Sequence, residues 1–342
     1  MNDATTESAL SAWGLSGTRV TPIGLGHIHQ TYRIDTATDS FVLQRINPMF
    51  AREVNLDIDA ITRHLERQGL TTSRLVATRD GKVWHENDSG VWRLMTFIDG
   101  QLHESVTSPA LARAAGALVG QFHRALSGFE HVFHFVREGA HETPLHLARL
   151  SEALERHYAH ARINDIRPLA HAILARGKAL SQIAPPLPTR IIHGDLKITN
   201  MIFDAQGTGI AIIDLDTMAH GAMAVELGDA LRSWCNPFGE DDSRATFDRV
   251  LFRAAVEGIA SGASGLLAPG EWQAIVPGTE TIALELAARF CRDALEERYF
   301  GWDRTRFTTR ADHNIARARA QLAVADSVRT QSHDLLADLR AV

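Results

Sequence analysis

His193-Gly194-Asp195-Leu196-Lys197-Ile198-Thr199-Asn200, followed after a short apolar run by Ile213-Asp214-Leu215-Asp216, is the stretch on which the reading of this 342-residue chain turns. It places an aspartate, an asparagine five residues on, and further acids behind a strand-like segment. That order suits phosphoryl transfer from a nucleotide. One carboxylate, Asp195, orients and deprotonates an acceptor hydroxyl, while the amide oxygen of Asn200 and the carboxylate of Asp214 hold Mg2+ on the phosphates of ATP. Asp216 is a further acid beside Asp214, either a metal ligand or a structural group. A lone Asp…Asn pair would be read as an ordinary turn; the downstream acid weighs against that reading.

Protein-kinase catalytic loops space the same groups as H-R-D-x-x-x-x-N, with a metal-binding aspartate later in the chain. Here Gly194 stands in place of the arginine, and Asp214-Leu215-Asp216 in place of D-F-G. Upstream, the first hundred residues read as strand-rich. Val20 to Gly26, Thr31 to Asp35 and Phe41 to Ile46 are short runs separated by turn residues. Glu53 to Gln68 carries Val54, Ile58, Ile61 and Leu65 at helical spacing, with Gly69 as a stop. Leu75 to Thr78 and Val83 to His85 flank Asp80-Gly81, which predicts a hairpin. Trp92 to Ile98 is a further apolar strand. Beyond Gly100 the pattern is helical: Ser108-Pro109 is a cap and first-turn pair, with further helices expected over Leu145 to Ala159 and Ile166 to Ile183. Pro185-Pro186-Leu187-Pro188 delivers the chain to a strand over 190–193, and Gln206-Gly207 turns a hairpin. The remainder reads as helical apart from a loop at 261–270. The expectation is an α+β, bilobal, protein-kinase-like fold, with a β-rich nucleotide-binding lobe over 1–99 and a mainly helical catalytic and acceptor-binding lobe over 100–342.

The nucleotide-binding candidates follow from that frame. Gly24-Leu25-Gly26-His27-Ile28-His29-Gln30-Thr31-Tyr32 lies between two strands, where glycines let backbone amides approach phosphate. Gly24, Gly26, His27 and Thr31 are its candidates; a plain glycine hairpin is the bland alternative. In Phe41 to Ile46 the usual lysine is missing, and Gln44 and Arg45 point to opposite faces of the strand. Only Arg45 carries a charge, with Glu53 or Asp57 as its expected ion-pair partner; an exposed surface arginine is the competing reading. Thr96 and Ile98 sit where extended backbone between lobes can meet an adenine edge, and Lys197 joins the nucleotide-binding set from within the catalytic loop.

Composition closes off other classes. Hydrophobic residues are 45% and charged residues 22%, and the formal net charge is −6. No basic cluster with interleaved aromatics marks a nucleic-acid partner. Two cysteines, Cys235 and Cys291, fit a reducing compartment. The polar N-terminus lacks a signal-peptide pattern, and no apolar run is long enough to span a bilayer. A cytoplasmic enzyme acting on a small molecule is expected, its oligomeric state left open. Seventeen histidines include the close pairs His27/His29, His131/His134 and His157/His160, none in an H-E-x-x-H pattern, so solvated or core histidines are the expectation. Asp229 is read as a helix cap or a brace for the catalytic loop, and Arg289, Arg292 and Asp293 as a charged helix face.

These stretches together resemble the phosphotransferase enzyme family, the aminoglycoside phosphotransferase and choline kinase superfamily, with most likeness to N-acetylhexosamine 1-kinases. The resemblance rests on residues 193–200 and 212–221 and on G-L-G-H-I-H-Q-T-Y (24–32), F-V-L-Q-R-I-N (41–47), L-E-L-A-A-R-F-C-R-D-A-L (284–295) and R-A-R-A-Q-L-A-V-A-D (317–326). It implies Asp195 as base, Asn200 and Asp214 as magnesium ligands, the anomeric hydroxyl of a sugar as acceptor, and Arg289 as a sugar contact. Two departures lie on the acceptor side: Met218-Ala219-His220-Gly221 where V-M-P-G is expected, and Ala294 where an aromatic is usual.

Overall fold

The computed structural model describes residues 4–23, 28–180 and 187–342. The glycine loop with Gly24, Gly26 and His27, and Pro185-Pro186 of the proline connector, lie outside the described residues. After a short helix α1 (Ala4–Leu10) come β1 (Arg19–Pro22), β2 (Gln30–Asp35), β3 (Ser40–Arg45), α2 (Val54–Arg67), β4 (His85–Asn87) and β5 (Gly90–Thr96). The strands form one antiparallel sheet in the order β1-β2-β3-β5-β4.

Strand alternation divides the sheet into two faces. Ile34, Leu43, Trp92 and Leu94 point outward and bury themselves against Ala9 and Leu10 of α1. Thr31, Gln44 and Arg93, which pair across β2, β3 and β5, point to the other face, toward the helical lobe. The hairpin expected at Asp80-Gly81 is instead a closed turn without a ladder, held by Thr78 and Lys82. Residues 74–76 bond to β5 (Val76 N to Leu94 O, 2.8 Å; Thr96 N to Arg74 O, 2.9 Å), which leaves Leu75 to Thr78 no free edge for 83–85. The real hairpin joins β4 to β5 through Asp88 and Ser89.

The helical lobe follows: α3 (Pro109–Leu126), α4 (Thr143–Arg156), α5 (Ile163–Lys178), β6 (Thr189–Ile192), β7 (Met201–Phe203), β8 (Gly209–Ile212), β9 (Ala219–Ala222), α6 (Met223–Trp234), α7 (Arg249–Ala263), α8 (Pro269–Glu296) and α9 (Arg310–Leu339). Ser108 caps α3 as expected, its hydroxyl accepting from Leu111 N at 3.2 Å ahead of Pro109. Gly207 turns the β7–β8 hairpin with φ of 81°.

Strand β9 was not expected, since Ala219-His220-Gly221-Ala222 has no β-forming residue; pairing with β6 imposes it. The main core is shared by α3, α6, α7, α8 and α9. Helices α3 and α7 touch backbone to backbone: a Cβ on Gly258 would come within 2.1 Å of Arg113 O.

Candidate active site

The connection from β6 to β7 is the catalytic loop of the sequence reading, and its shape is dictated by its neighbours. His193 is buried. Its Nδ1 accepts from Asp195 N (3.2 Å) and its Nε2 donates to Ile213 O (2.9 Å), a pairing that selects one neutral tautomer. Thr217 Oγ1 donates to His193 O at 2.8 Å. Gly194 has φ of 79°, and a Cβ there would meet Thr217 O at 2.7 Å, so neither arginine nor any other side chain fits.

Below the loop lies Glu226 of α6, wholly buried, accepting His193 N at 2.7 Å and Gly194 N at 2.9 Å. Burial alone would raise its carboxyl, but the neighbouring His123 imidazole, 3.1 Å away, outweighs this and holds it below the usual range. Glu226 fills the bracing role foreseen for Asp229. Asp229 is instead locked to Arg232 at 2.8 Å, a structural ion pair.

The expected chemistry-bearing groups converge here. Lys197 Nζ lies 2.8 Å from Asp195 Oδ2. Burial works against the Lys197 charge, yet Asp195, Asp214 and Asp229 push its pKa upward and keep it an ammonium. Asn200 Nδ2 donates to Asp195 O (2.9 Å), which turns its Oδ1 away from the loop. Ile213 N donates to Asn200 O (2.9 Å), placing Asn200 beside the segment that carries Asp214. Asp214 sits in the left-handed region, φ 66° and ψ 55°, a conformation aspartate tolerates better than most residues. Its carboxyl is raised, first by desolvation and then by the like charges of Asp216 and Asp195.

Asp216, expected as a possible metal ligand, is also paired across the lobes. Arg93 of β5 forks onto both its oxygens (Nη1 to Oδ1, 2.7 Å; Nη2 to Oδ2, 2.6 Å), and His29 Nε2 stands 3.3 Å off. Burial would raise the Asp216 carboxyl; Arg93 and His29 more than reverse this and hold it far below its usual range. Asp216 is therefore a brace between the lobes, and it also lies with His29 and Asp214 in a group whose ligating atoms are all within 4.8 Å of one another and could hold a cation.

The same network corrects the expected cation of β3. Arg93 also bonds Gln44 Oε1 (Nε, 2.8 Å; Nη2, 2.6 Å), and Gln44 Nε2 reaches Thr31 Oγ1 at 3.1 Å. Gln44 thus faces the cleft. Arg45 points to the outer face, opposite Trp92 and near Gln30 (3.5 Å), away from the Arg93–Asp216 network.

Its expected partners are occupied as well: Glu53 pairs with Arg52, and Asp57 with His131 and His134. The Thr96 backbone is consumed by Ser73 and Arg74, so it offers no adenine edge; Ile98 stays half-buried just beyond β5. Arg93 was missed, although an arginine between Trp92 and Leu94 in an apolar strand was a visible signal.

Next to the loop, His141 has φ of 55° and spans two elements. Its Nε2 lies 3.0 Å from Gly194 O and its Nδ1 3.8 Å from Glu285 Oε1 on α8. Glu285 is buried, accepts from Thr143 Oγ1 (2.7 Å), and neighbours Arg289 (3.8 Å) and His146 (3.8 Å). Desolvation raises the Glu285 carboxyl, and His146 is lowered to about 4 by burial and then by Arg289. The Arg289 guanidinium lies over Phe300 (5.7 Å) and Tyr299 (6.0 Å). Asp293, by contrast, bonds the backbone N–H groups of Arg298, Tyr299 and Phe300 and the Asn314 amide, a purely structural use.

The residues fit a divalent cation. Among the described residues none bonds Asn200 Oδ1 or the accessible Asp214 carboxylate, and the mutually repelling acids around them call for positive charge. Two concavities elsewhere, one lined by Arg52, Asp80, Lys82, Trp84, His85 and Glu86 and the other by residues of α7 and α9 and the C-terminal Ala341 and Val342, contain none of these groups.

Comparison with known proteins agrees with this fold. A homoserine kinase from Azorhizobium caulinodans is 27% identical over 229 residues, 64% of this chain and 66% of that protein, just under two thirds of its length. Among solved structures, an aminopropanol kinase associated with a microcompartment superposes with a TM-score of 0.63 at 19% identity, covering 98% of this chain and 99% of that one. An amicoumacin kinase bound to AMP-PNP, Ca2+ and Ami superposes with a TM-score of 0.62 at 12% identity, covering 94% and 93%. The family model of the phosphotransferase enzyme family matches residues 19–262, which contain the β-sheet lobe and the whole catalytic loop. The chain belongs to the phosphotransferase enzyme family.

Proposed function

We propose that this enzyme is an ATP- and Mg2+-dependent kinase that phosphorylates a sugar hydroxyl, the anomeric hydroxyl of an N-acetylhexosamine or hexose. One observation carries the chemistry: Asp195 is held with its carboxylate toward Lys197, while Asn200 and Asp214, beside it, carry oxygens that no described residue bonds. In this reading lobe 1–99 holds the nucleotide and lobe 100–342 the acceptor, and the cytoplasm is the compartment, in keeping with two buried free cysteines.

Asp195 accepts the proton of the attacking hydroxyl, and the Lys197 ammonium beside it holds that carboxylate in place and adds positive charge where phosphate charge develops. Mg2+, bound by Asn200 and Asp214, would supply charge neutralisation on the phosphates. Glu226 keeps the loop backbone still beneath these groups, and the Arg93–Asp216 fork ties the sheet to the segment carrying Asp214.

The sugar reading is supported by the mixture of neutral imidazole, carboxyl and guanidinium groups around His141, His146, Glu285 and Arg289, which can donate and accept with vicinal hydroxyls. No acidic wall for a polycation is seen among the described residues: Glu240, Asp241, Asp242, Glu296 and Glu297 are each paired with an arginine or histidine. A second reading, a hydroxy amino acid such as homoserine, is favoured by the matched relative and by Arg289, whose fork also suits a carboxylate.

ADP release against a panel of hexoses, N-acetylhexosamines, homoserine, amino alcohols and aminoglycosides tests the proposal. Turnover of a free sugar to its 1-phosphate supports it; turnover of homoserine or an amino alcohol with no sugar turned over removes it. Arg289→Lys is expected to raise sugar KM far more than ATP KM, because the charge survives but the planar fork does not.

A further inference from the structure

One group of ligating side chains, buried at Asp57 and open to solvent at His134, contains none of the residues assigned to phosphoryl transfer. Asp57, buried on α2, faces the segment that follows α3. His131 Nε2 and His134 Nδ1 each lie 2.8 Å from Asp57 Oδ1, and the three ligating atoms are all within 4.8 Å of one another. The backbone around them is already set: Asp57 accepts His134 N at 2.9 Å and Phe135 N at 3.0 Å. The His131 ring is oriented by stacking on Phe129 (5.8 Å, 11° between planes), and its backbone oxygen is bonded to His220 Nε2 at 2.9 Å. Glu53, one helical turn before Asp57, stands on the same face of the helix start.

We infer that Asp57 Oδ1, His131 Nε2 and His134 Nδ1 form a site for a divalent transition-metal ion of the zinc class, which clamps α2 to residues 131–135. Two imidazoles and one carboxylate are the donor set of such ions, with water as the remaining ligand, whereas Mg2+ takes oxygen donors.

Ligands at about 2.0–2.2 Å from zinc sit farther apart than the present 2.8 Å contacts, so the donors must spread slightly. The His134 side chain, 49% exposed, has room to do so and leaves an open side for water. Each neutral imidazole can offer its lone pair to the ion by carrying its proton on the remote nitrogen. Since α2 also packs against the Leu215–Thr217 turn that carries Asp216, the ion would stiffen the sheet lobe against the catalytic one.

The test is direct metal occupancy, which does not depend on what the enzyme phosphorylates. Untagged Asp214→Asn protein, chosen to silence the catalytic cation site, is titrated with Co2+ and with Zn2+ against a chelating dye. One tight equivalent per chain with ligand-field absorption in the visible is expected. His134→Gln and His131→Gln are expected to weaken binding by more than the roughly tenfold to hundredfold that loss of an outer-shell partner costs. His134→Gln keeps the backbone N–H bonds to Asp57 and so the fold, checked by thermal melting. Equal affinity in parent and His134→Gln proteins would overturn the site. A Co2+ spectrum that stays that of the hydrated ion at stoichiometric protein would do the same.

Discussion

Replacing Asp195 by asparagine keeps the shape of the loop and removes only the carboxylate that takes the hydroxyl proton. Turnover is expected to fall by ~10²–10⁴-fold with nucleotide affinity nearly unchanged, read by ADP release and by calorimetric nucleotide binding; a variant above a tenth of parent kcat takes Asp195 out of the role. A second contrast lies on the sheet. Arg45→Ala is expected to leave ATP kinetics and stability near parent values, since its side chain faces outward. Arg93→Ala strands the buried Asp216 carboxylate, and breaking such a pair costs about 3–5 kcal/mol. Urea titration of the two variants side by side checks this; equal loss in both would mean that the buried fork does not hold the lobes.

At the scale of elements, α3 and α7 are joined where glycines allow backbone contact. Gly116 and Gly120 of α3 meet Ala255 O and Ile259 O, and Gly258 and Gly262 of α7 meet Arg113 O and Ala117 O. Adding one methyl at Gly258 must part the helices, so Gly258→Ala is expected to cost about 1–3 kcal/mol as overpacking. A denaturation midpoint unchanged from the parent's would show that the helices separate without penalty. Helix α6 carries its own prediction. Glu226→Gln turns one of two acceptors into a donor facing backbone N–H groups that need acceptors. The loop then loosens, and kcat is expected to drop while ATP KM moves little; a kcat equal to the parent's would reduce Glu226 to a filler of space.

For the whole molecule, pH stability follows from the buried carboxylates. Asp216, Glu226 and Asp229 are all depressed in the folded state, in each case despite burial and because of Arg93, His123 and Arg232 respectively. A depressed acid stabilises the fold at pH above its unfolded value, about 4, and that contribution is lost as pH falls from there toward the lower folded value. Asp214 and Glu285, raised chiefly by desolvation, act in the opposite sense and are relieved as they protonate at higher pH. Thermal melts are therefore expected to hold from neutrality to about pH 5 and to fall steeply below about 4. The fall should be shallower in an Asp229→Asn/Arg232→Met protein. Melting temperatures flat down to pH 3 would contradict the assignment.

How much of this was legible in the chain depends on how far apart the interacting groups lie. Asp195, Asn200 and Asp214 are separated by short runs, a tight loop, a hairpin and a left-handed residue, so their order along the chain already keeps them near one another, while Glu226 and Thr217 fix the exact shape of the loop. The α2 periodicity, the Ser108-Pro109 start of α3 and the Gln206-Gly207 turn were readable for the same reason. Strand alternation showed that Gln44 and Arg45 part, but only the packing of α1 on one face decided which of them meets the cleft. Arg93 and Asp216 are 123 residues apart, and Asp57 lies 74 and 77 residues from His131 and His134. No spacing announces such pairs. They exist because buried charge must find a partner once the lobes close, and which partner it finds is settled by tertiary structure alone.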